Sequence, residues 1–303
     1  MRAFRSIALL LAVWLAAASA HAQPALMVYD FTLTMTPRGN IDYVKSLGYS
    51  GLVTRLKSSA DLLKLKEYES YASRIDGFDL IAYVAFDFND PASPLVWRDA
   101  LPVLAKAGSP LWVVVKKAPS DAAIRQLLMQ MARESQAFGV QTVVYPHWNT
   151  SIETADEAAT HIAAVGHPNL LNSLHTAHEI RGGNQYDIEA VVAAHVAQTA
   201  LVAIAGADHH AYAGPPLPFL NWSDVIKPLD EGGYSLLPFL QALQDAGYDG
   251  PVILQTFGII SNPGHLQRSI RRYGVYTAQL NSGGHQSETL AADPDWPIAR
   301  TAR

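Results

Sequence analysis

Cysteine is absent from the 303-residue chain. The sequence therefore holds no disulfide, no thiolate nucleophile and no cysteine metal ligand, and stability must come from a hydrophobic core. Charge is sparse as well, because charged residues make up 16% of the chain and the formal net charge is −5. A protein that coats nucleic acid needs a basic face, so we expect no nucleic-acid partner.

Apolar segments long enough to cross a membrane are missing after residue 22. Before that point, two arginines precede an apolar run of about a dozen residues, and an A-x-A arrangement ends at Ala22. This order is typical of a secretory signal peptide, and the run is shorter than the roughly 18–20 residues that a membrane span needs. We therefore expect residues 1–22 to be cleaved and no membrane span to remain. The mature protein should be exported, to the periplasm if the source is a Gram-negative bacterium.

Apolar runs alternate with segments of helical periodicity over the rest of the chain. The runs are continuous, as in strands that are buried on both faces of a parallel sheet. The predicted strands cover 25–31, 51–56, 78–86, 110–117, 141–148, 169–176, 201–206 and 251–258. The predicted helices cover 41–49, 60–74, 96–107, 121–138, 154–165, 187–200, 235–248 and 264–280. This alternation predicts an α/β fold, a single-domain (β/α)8 TIM barrel; a doubly wound open sheet is the alternative, which the lack of a Gly-rich phosphate turn disfavours.

The expected barrel spans residues 23–282, and the polar, aperiodic residues 283–303 are expected to form a flexible C-terminal tail. In barrels of this kind, active sites lie at the carboxyl ends of the strands. Because neighbouring strand residues point to opposite faces, at most one of Lys116 and Lys117 points inward. The candidate site residues at the predicted strand ends are Arg55, Lys116, Tyr145, His147, Trp148, His175, His178, Glu179, Asp208 and Gln255.

Histidines at the ends of the fifth and sixth strands suit two different chemistries. Neutral imidazoles bind Zn²⁺ and related ions, so His147, His175 and His178 form a candidate metal site. Histidine also titrates near neutral pH, so His147 and His178 are candidate acid–base catalysts. In that case Glu179 and Lys116 would assist them. The residues expected to bind substrate are Arg55, Tyr145, Trp148, Asp208 and Gln255.

Two segments and one motif carry a family resemblance; they are KPLDEGGYSLLPFLQALQDAGYDGPVILQ (227–255), VVYPHW (143–148) and His175-x-x-His178. They are similar to the last turn–helix–strand unit, the fifth strand and the D-x-x-H motif of the xylose isomerase-like TIM barrels, the sugar phosphate isomerase/epimerase superfamily. The resemblance covers about residues 25–280. It implies one divalent ion (Zn²⁺, Mn²⁺, Mg²⁺ or Co²⁺), held by Glu, Asp, His and Glu on strands five to eight.

Other residues stand at these implied ligand positions. In order, the positions correspond to Tyr145, His175 (or Asn172 in an earlier register), the LVAIAG run without a ligand, and Gln255. His147 and His178 keep the residue types that the family has there. Carboxylates neutralise a divalent ion and abstract sugar protons. Their loss favours a histidine-based site or a barrel that only binds sugar.

The resemblance implies a sugar isomerase or epimerase that moves a proton next to a sugar carbonyl, with a small carbohydrate as substrate. Two alternatives stay open. Some relatives act on oxidised (3-keto) glycosides as lyases or hydratases, and export suits a glycoside better than a sugar phosphate, which is normally cytoplasmic. The other alternative is a non-catalytic carbohydrate-binding barrel, in which Tyr145, Trp148 and Trp222 stack on sugar rings.

Overall fold

Parallel strands close into a barrel in the computed structural model, which describes residues 25–208, 221–259 and 264–282. The eight strands of the described chain are β1 Leu26–Tyr29, β2 Gly51–Leu56, β3 Asp79–Asp87, β4 Leu111–Lys116, β5 Thr142–Val144, β6 Leu170–His175, β7 Thr199–Ile204 and β8 Val252–Leu254. Each strand pairs in parallel with the next one in the chain, and β1 pairs with β8 to close the sheet. The predicted TIM barrel is confirmed.

Helices cover the outside of the barrel. They are α1 Pro37–Ser46, α2 Ser59–Ala72, α3 Ser93–Ala107, α4 Asp121–Gln136, α5 Ala155–Val165, α6 Thr176–Arg181, α7 Ile188–His195, α8 Trp222–Val225, α9 Leu237–Asp245 and α10 His265–Asn281. Their limits follow local signals in the sequence. Ser58 begins α2 with a capping box to Asp61, and Gly108 ends α3 in the left-handed conformation, with a φ of 65°.

Several element limits differ from the sequence prediction: the predicted strands 25–31 and 251–258 are shorter, as Leu26–Tyr29 and Val252–Leu254, and the predicted helix 41–49 covers Pro37–Ser46. The predicted helix 187–200 ends at His195, and Thr199 and Ala200 already belong to β7. The predicted fifth strand 141–148 pairs only over Thr142–Val144. The Tyr145 N–H still donates to the Val113 carbonyl (2.8 Å), but the next residue, Pro146, has no N–H with which to continue the ladder.

The proposed ends of the domain lie outside the residues that the structure describes. These are the predicted signal peptide, residues 1–22, and the predicted tail, residues 283–303. Within the described ranges, no helix has both the length and the apolar character that crossing a membrane requires.

Alternate side chains of each strand enter two different cores. In β4, Trp112 and Val114 point into the barrel, whereas the alternate residues Leu111, Val113 and Val115 pack against the helices. The same period of two continues to the end of the strand, so Lys116 lies at the barrel mouth. Lys117 points away and forms an ion pair with Asp87, with Nζ and Oδ2 3.1 Å apart. The strand period therefore selects the lysine that faces the mouth.

An aromatic layer fills the barrel just below its mouth. Trp112 stacks on Tyr145 with ring centroids 4.2 Å apart, and Tyr83 packs edge-on against both rings. The polar ends of these buried rings have partners: the Tyr29 hydroxyl donates to the Tyr145 hydroxyl (3.1 Å), and the Trp112 indole N–H donates to the Ser173 hydroxyl (2.9 Å). The layer is therefore a packed, hydrogen-bonded floor for whatever lies above it.

Candidate functional site

A cavity of about 210 Å³ opens above the aromatic layer, at the carboxyl ends of the strands. This is the face at which barrels of this fold carry their active sites. The volume lies below the roughly 300–1,000 Å³ of drug-sized ligand sites, which suits a ligand of monosaccharide size. The lining residues are Phe31, Arg55, Lys57, Tyr83, Ala85, Val114, Lys116, Tyr145, His147, His178, Trp222, Ile226, Gln255 and Phe257.

His147 and His178 lie side by side in the cavity wall, with ring centroids 4.1 Å apart. His147 follows β5, and His178 lies in α6, which begins at Thr176 directly after β6. Burial lowers the pKa of His147 from its usual 6.5 to about 4, and it lowers the pKa of His178 well below 6.5. Both imidazoles are therefore neutral at neutral pH.

Hydrogen bonds give the two rings opposite tautomers. Nδ1 of His147 lies 2.9 Å from the Trp148 carbonyl oxygen, so it carries the proton and leaves the lone pair on Nε2. Nδ1 of His178 accepts from the Trp148 backbone N–H (3.3 Å), so the proton is on Nε2. That buried Nε2 has no hydrogen-bond partner among the described residues. One neutral base and one N–H donor thus stand next to each other.

Gln255 is the centre of a hydrogen-bond network on the cavity floor. Its Oε1 accepts from the backbone N–H groups of Thr256 and Phe257, at 2.9 Å each, which fixes the orientation of the amide. Its Nε2 then donates to the Tyr145 hydroxyl (3.3 Å) and to Nε2 of His175 (3.2 Å). His175 therefore carries its proton on Nδ1. Burial lowers the pKa of His175 to about 3, so this ring is neutral too.

Tyr145 presents a neutral hydroxyl donor to the cavity. Its oxygen accepts hydrogen bonds from Tyr29 and Gln255, which leaves its own proton for a third partner. Burial raises the pKa of Tyr145 well above its usual value, so the phenol stays protonated. Its ring stacks on that of His175, with centroids 5.5 Å apart. The floor therefore offers an O–H group beside the two wall histidines.

The charged side chains of the cavity wall all have the same sign. Arg55, Lys57 and Lys116 line it, and no aspartate or glutamate of the described residues does. Burial lowers the pKa of Lys57, and repulsion from Arg55 and Lys116 lowers it further. The three cations thus act on one another, and the cavity carries a positive potential.

The predicted metal ligands His147, His175 and His178 lie close together, but their nitrogen lone pairs do not point to one common position. His175 and His178 have ring centroids 4.2 Å apart, yet the Nε2 lone pair of His175 faces Gln255 and Nε2 of His178 carries a proton. In the part of the chain that the structure describes, no group of three or more His, Cys, Asp or Glu side chains is placed to hold a metal ion. A wall with cations and no carboxylate also disfavours a divalent ion. These residues therefore do not fit the metal that the resemblance implies.

Glu179, a predicted catalytic residue, has a structural place instead. It is buried in α6, where its carboxylate accepts from the Ala155 backbone N–H (2.8 Å) and from the Asn184 side chain (2.7 Å). Ala155 is the first residue of α5, so the carboxylate caps that helix from a neighbouring element. Burial raises the pKa of Glu179. Glu179 is not among the residues that line the cavity, so the structure places this predicted catalytic residue behind the cavity wall.

Two predicted substrate-binding residues, Trp148 and Asp208, are likewise not among the lining residues. The Trp148 ring packs on the guanidinium of Arg181 (4.7 Å), which lies 4.8 Å from the ring of Trp222. Trp222 does line the cavity, so Trp148 supports the wall from behind. The Asp208 carboxylate pairs with Lys227 at 3.1 Å. Both residues therefore contribute to the structure around the site.

Seven lining residues were not named at all in the sequence prediction. One is Ile226, which follows α8, and the other six belong to the barrel interior: Phe31, Lys57, Tyr83, Ala85, Val114 and Phe257. A signal for these six exists in the sequence, because they continue the two-residue period of the barrel interior. Phe31 comes two residues after Tyr29, and Phe257 comes two residues after Gln255. For Phe31, Lys57 and Phe257 the period had to be followed past the last residue of the strand, whereas Tyr83 lies within β3.

A family model described as a xylose isomerase-like TIM barrel matches residues 97–273, more than half of the chain. A comparison with curated proteins found no match. Solved structures share the fold at low identity. A D-tagatose 3-epimerase-like protein has a TM-score of 0.67 and 14% identity, and the match covers 86% of this chain and 99% of that chain.

Two further solved structures are informative. The 3-keto-D-glucoside 4-epimerase YcjR from E. coli, in its apo form, has a TM-score of 0.62 and 13% identity, over 84% of this chain and 99% of that chain. The IolI protein with a bound zinc atom has a TM-score of 0.62 and 15% identity, over 86% of this chain and 97% of that chain. At such identities the likeness shows a shared fold alone.

Proposed function

The chain belongs to the xylose isomerase-like TIM barrel family, and from that premise we propose that it is an exported sugar isomerase or epimerase that transfers a proton next to a sugar carbonyl. The proposal rests on one observation. His147 and His178 are neutral imidazoles of opposite tautomer, 4.1 Å apart in a cavity at the catalytic face of the barrel. A base and a donor in such an arrangement are what proton transfer at a carbon requires.

His147 acts as the general base in this proposal. Its Nε2 lone pair takes the proton from the carbon next to the carbonyl, and the electrons of the broken C–H bond move to the carbonyl oxygen. Three donors line the same cavity and stabilise the resulting enediolate: the Tyr145 hydroxyl, Nε2–H of His178 and the ammonium of Lys116. In isomerisation the proton returns to the adjacent carbon, while the hydroxyl on the first carbon passes its proton to the enediolate oxygen and becomes the new carbonyl. In epimerisation the enediolate turns over in the cavity before the proton returns to the opposite face of the same carbon, because both histidines lie on one wall.

No step of the proposal passes through a metal ion. The IolI structure contains zinc, but the two glutamate positions that the family resemblance implies are Tyr145 and Gln255 in this chain. A neutral hydroxyl and a neutral amide do not neutralise a divalent charge. The donors at the enediolate oxygen take over the electrostatic part that a Lewis acid would have, because they are already oriented before the substrate binds.

Elimination from an oxidised (3-keto) glycoside is the second candidate. It is favoured by the placement of His147 and His178 on the same wall of the cavity. After His147 has removed the proton next to the ketone, the neighbouring C–O bond breaks as the C=C bond forms. The leaving oxygen then takes the proton from Nε2 of His178, and the proton that His147 has taken up passes to His178, so that both imidazoles end neutral. The structural neighbour that is a 3-keto-D-glucoside 4-epimerase motivates the choice of substrate.

Deuterium incorporation tests the proposal. The protein is incubated in D₂O with aldoses, ketoses and 3-keto glycosides, and each carbon is followed by NMR. The wild type is expected to exchange the proton next to the carbonyl, equally with and without EDTA. His147→Gln and His178→Gln are each expected to slow exchange by at least about 100-fold. His195→Gln is the control, since His195 bonds Asp156 (2.6 Å) on the outer helices and is not a lining residue.

Three outcomes separate the alternatives. Exchange that is followed by release of the glycosidic oxygen identifies the lyase or hydratase reaction. Binding of a sugar without exchange at any carbon contradicts an enzymatic function and leaves the carbohydrate-binding barrel. Loss of exchange in EDTA, restored by Zn²⁺ or Mn²⁺, contradicts the metal-free mechanism.

A further inference from the structure

We infer that the ligand of this cavity is an acidic carbohydrate, a sugar that carries a carboxylate group, and that Arg55, Lys57 and Lys116 hold its acidic group. The inference deepens the proposed function and rests on it for the sugar part of the ligand. The acidic part has a separate basis, which is the charge of the cavity wall.

The three cations are placed together by the strand pattern. Arg55 and Lys57 stand two residues apart at the end of β2, and Lys116 ends β4. Both strands pair with β3, so the three side chains rise from one side of the barrel mouth. Lys116 is also near enough to His147 to lower the pKa of that imidazole. The cations therefore form a continuous patch that reaches the proposed base.

No carboxylate of the described residues forms an ion pair with any of these three cations. Two nearby lysines do have partners: Lys117, directly after β4, pairs with Asp87 at 3.1 Å, and Lys64 in α2 pairs with Asp30 at 2.6 Å. Asp61 and Asp87 act on Lys57 and Lys116, respectively, without forming an ion pair with them. Three like charges in one cavity repel each other, and an anionic ligand group removes that repulsion. The wall is thus complementary to an anion and not to a neutral sugar alone.

Arg55 is oriented to receive a planar anion. Its guanidinium lies over the ring of Phe31, 5.6 Å from the centroid, and its charge opposes the rise that burial causes in the pKa of Tyr83. Because the Phe31 ring covers only the face of the guanidinium, the N–H groups at its edge stay available. They can donate hydrogen bonds to two oxygens of one acidic group. The apolar rings of Phe31 and Trp222 then leave room for the C–H face of a sugar ring.

An anion bound by these cations also makes His147, the proposed base, more basic. With the pKa of His147 at about 4, the imidazole of the free protein is a weak base. A negative group beside Lys116 offsets the positive field there and raises the pKa of His147. The acidic group of the substrate therefore activates the base on binding, which a neutral sugar does not do.

Binding and exchange are measured separately, so that the two proposals can fail independently. Uronates, aldonates and sugar phosphates are each compared with their neutral parent sugar by calorimetry at low salt. The best acid is expected to bind at least about tenfold more tightly than its parent, with the preference falling as salt rises. Lys116→Gln and Arg55→Gln are expected to remove most of that preference. Lys117→Gln, which alters the next lysine outside the mouth, is expected to keep it.

Comparison of the carboxylate and phosphate series tests which acidic group the cavity takes, and a preference for phosphate over carboxylate contradicts the inference. The inference is overturned if no acid binds, if acids and parents bind equally, or if Lys116→Gln and Lys117→Gln behave alike. Acid binding without deuterium exchange supports the charge inference and contradicts the proposed enzyme. Deuterium exchange of neutral sugars without any preference for acids supports the proposed enzyme and contradicts the charge inference.

Discussion

Mild acid should destabilise this protein through the three rings of His147, His175 and His178, here called the histidine cluster. Burial is the main cause that lowers the pKa of each ring. The charges of neighbouring groups lower it further: Lys116 acts on His147, and Arg181 acts on His178. In the unfolded chain the rings regain a pKa near 6.5. As the pH falls, the unfolded chain therefore binds protons at these three imidazoles that the folded protein does not bind.

The sign and size of the effect follow from proton linkage. A histidine whose folded-state pKa is depressed contributes stability that is fully present above the unfolded pKa and is lost as the pH falls toward the folded pKa. His175 is fully buried, and its folded-state pKa is about 3. Between pH 7 and pH 5, its share of the loss is about 2 kcal/mol. His147 and His178 act in the same direction.

Urea unfolding followed by tryptophan fluorescence measures this loss at several pH values between 5 and 6.5. Because His175→Gln also changes the stability at pH 7, the slope of the unfolding free energy against pH is compared. The slope is expected to be smaller in His175→Gln than in the wild type by about 1 kcal/mol per pH unit. Lys117→Gln, a substitution outside the cluster, is expected to keep the wild-type slope.

Equal slopes in the wild type and in His175→Gln would refute the reasoning. They would mean that this imidazole takes up its proton in the folded protein, for instance by a local opening that lets water reach it. A slope that falls equally in Lys117→Gln would show that the change arises from overall charge.

Three further predictions concern the site and its support. The kcat/KM of exchange should stay level from pH 7 to 5 and fall near pH 4, as protonation removes the base His147; a fall centred at 6.5 would contradict the lowered pKa. Gln255→Ala leaves the buried Thr256 N–H and the part-buried Phe257 N–H without their acceptor, so urea unfolding should show a loss of about 1–3 kcal/mol, and no loss would contradict the network. Gly232→Ala brings a Cβ onto the Ala207 carbonyl at a φ of 86°, so its Tm should fall by several degrees more than that of Gly139→Ala, where a φ of 70° meets open space.

The barrel could be predicted because its evidence is local. Continuous apolar runs and helical periodicity are properties of neighbouring residues, and β2 was predicted and observed over 51–56. Limits went wrong where the local signal is weak. Pro146 shortens β5, and α6 follows β6 without a break at Thr176. Neither event changes the apolar pattern from which the strands were predicted.

The candidate site was predicted in part. The rule that active sites lie at strand ends identified His147, His178 and Lys116, which do line the cavity. It also selected Glu179, because a carboxylate that follows a strand looks the same whether it faces the cavity or caps a helix. Only the position of α5, which supplies the Ala155 N–H, distinguishes the two.

The sequence by itself determined the alternation of strands and helices, the inward-facing strand positions and the loss of carboxylates at the implied ligand positions. These follow from residue order alone. The tertiary structure decided the protonation of the histidines, since the partner of His175 is Gln255, 80 residues away. It also decided that cations of β2 and β4 meet in one cavity, which no carboxylate of the described ranges lines. Tautomers, pKa values and electrostatic potential depend on distances between side chains, and those distances exist only once the barrel has closed.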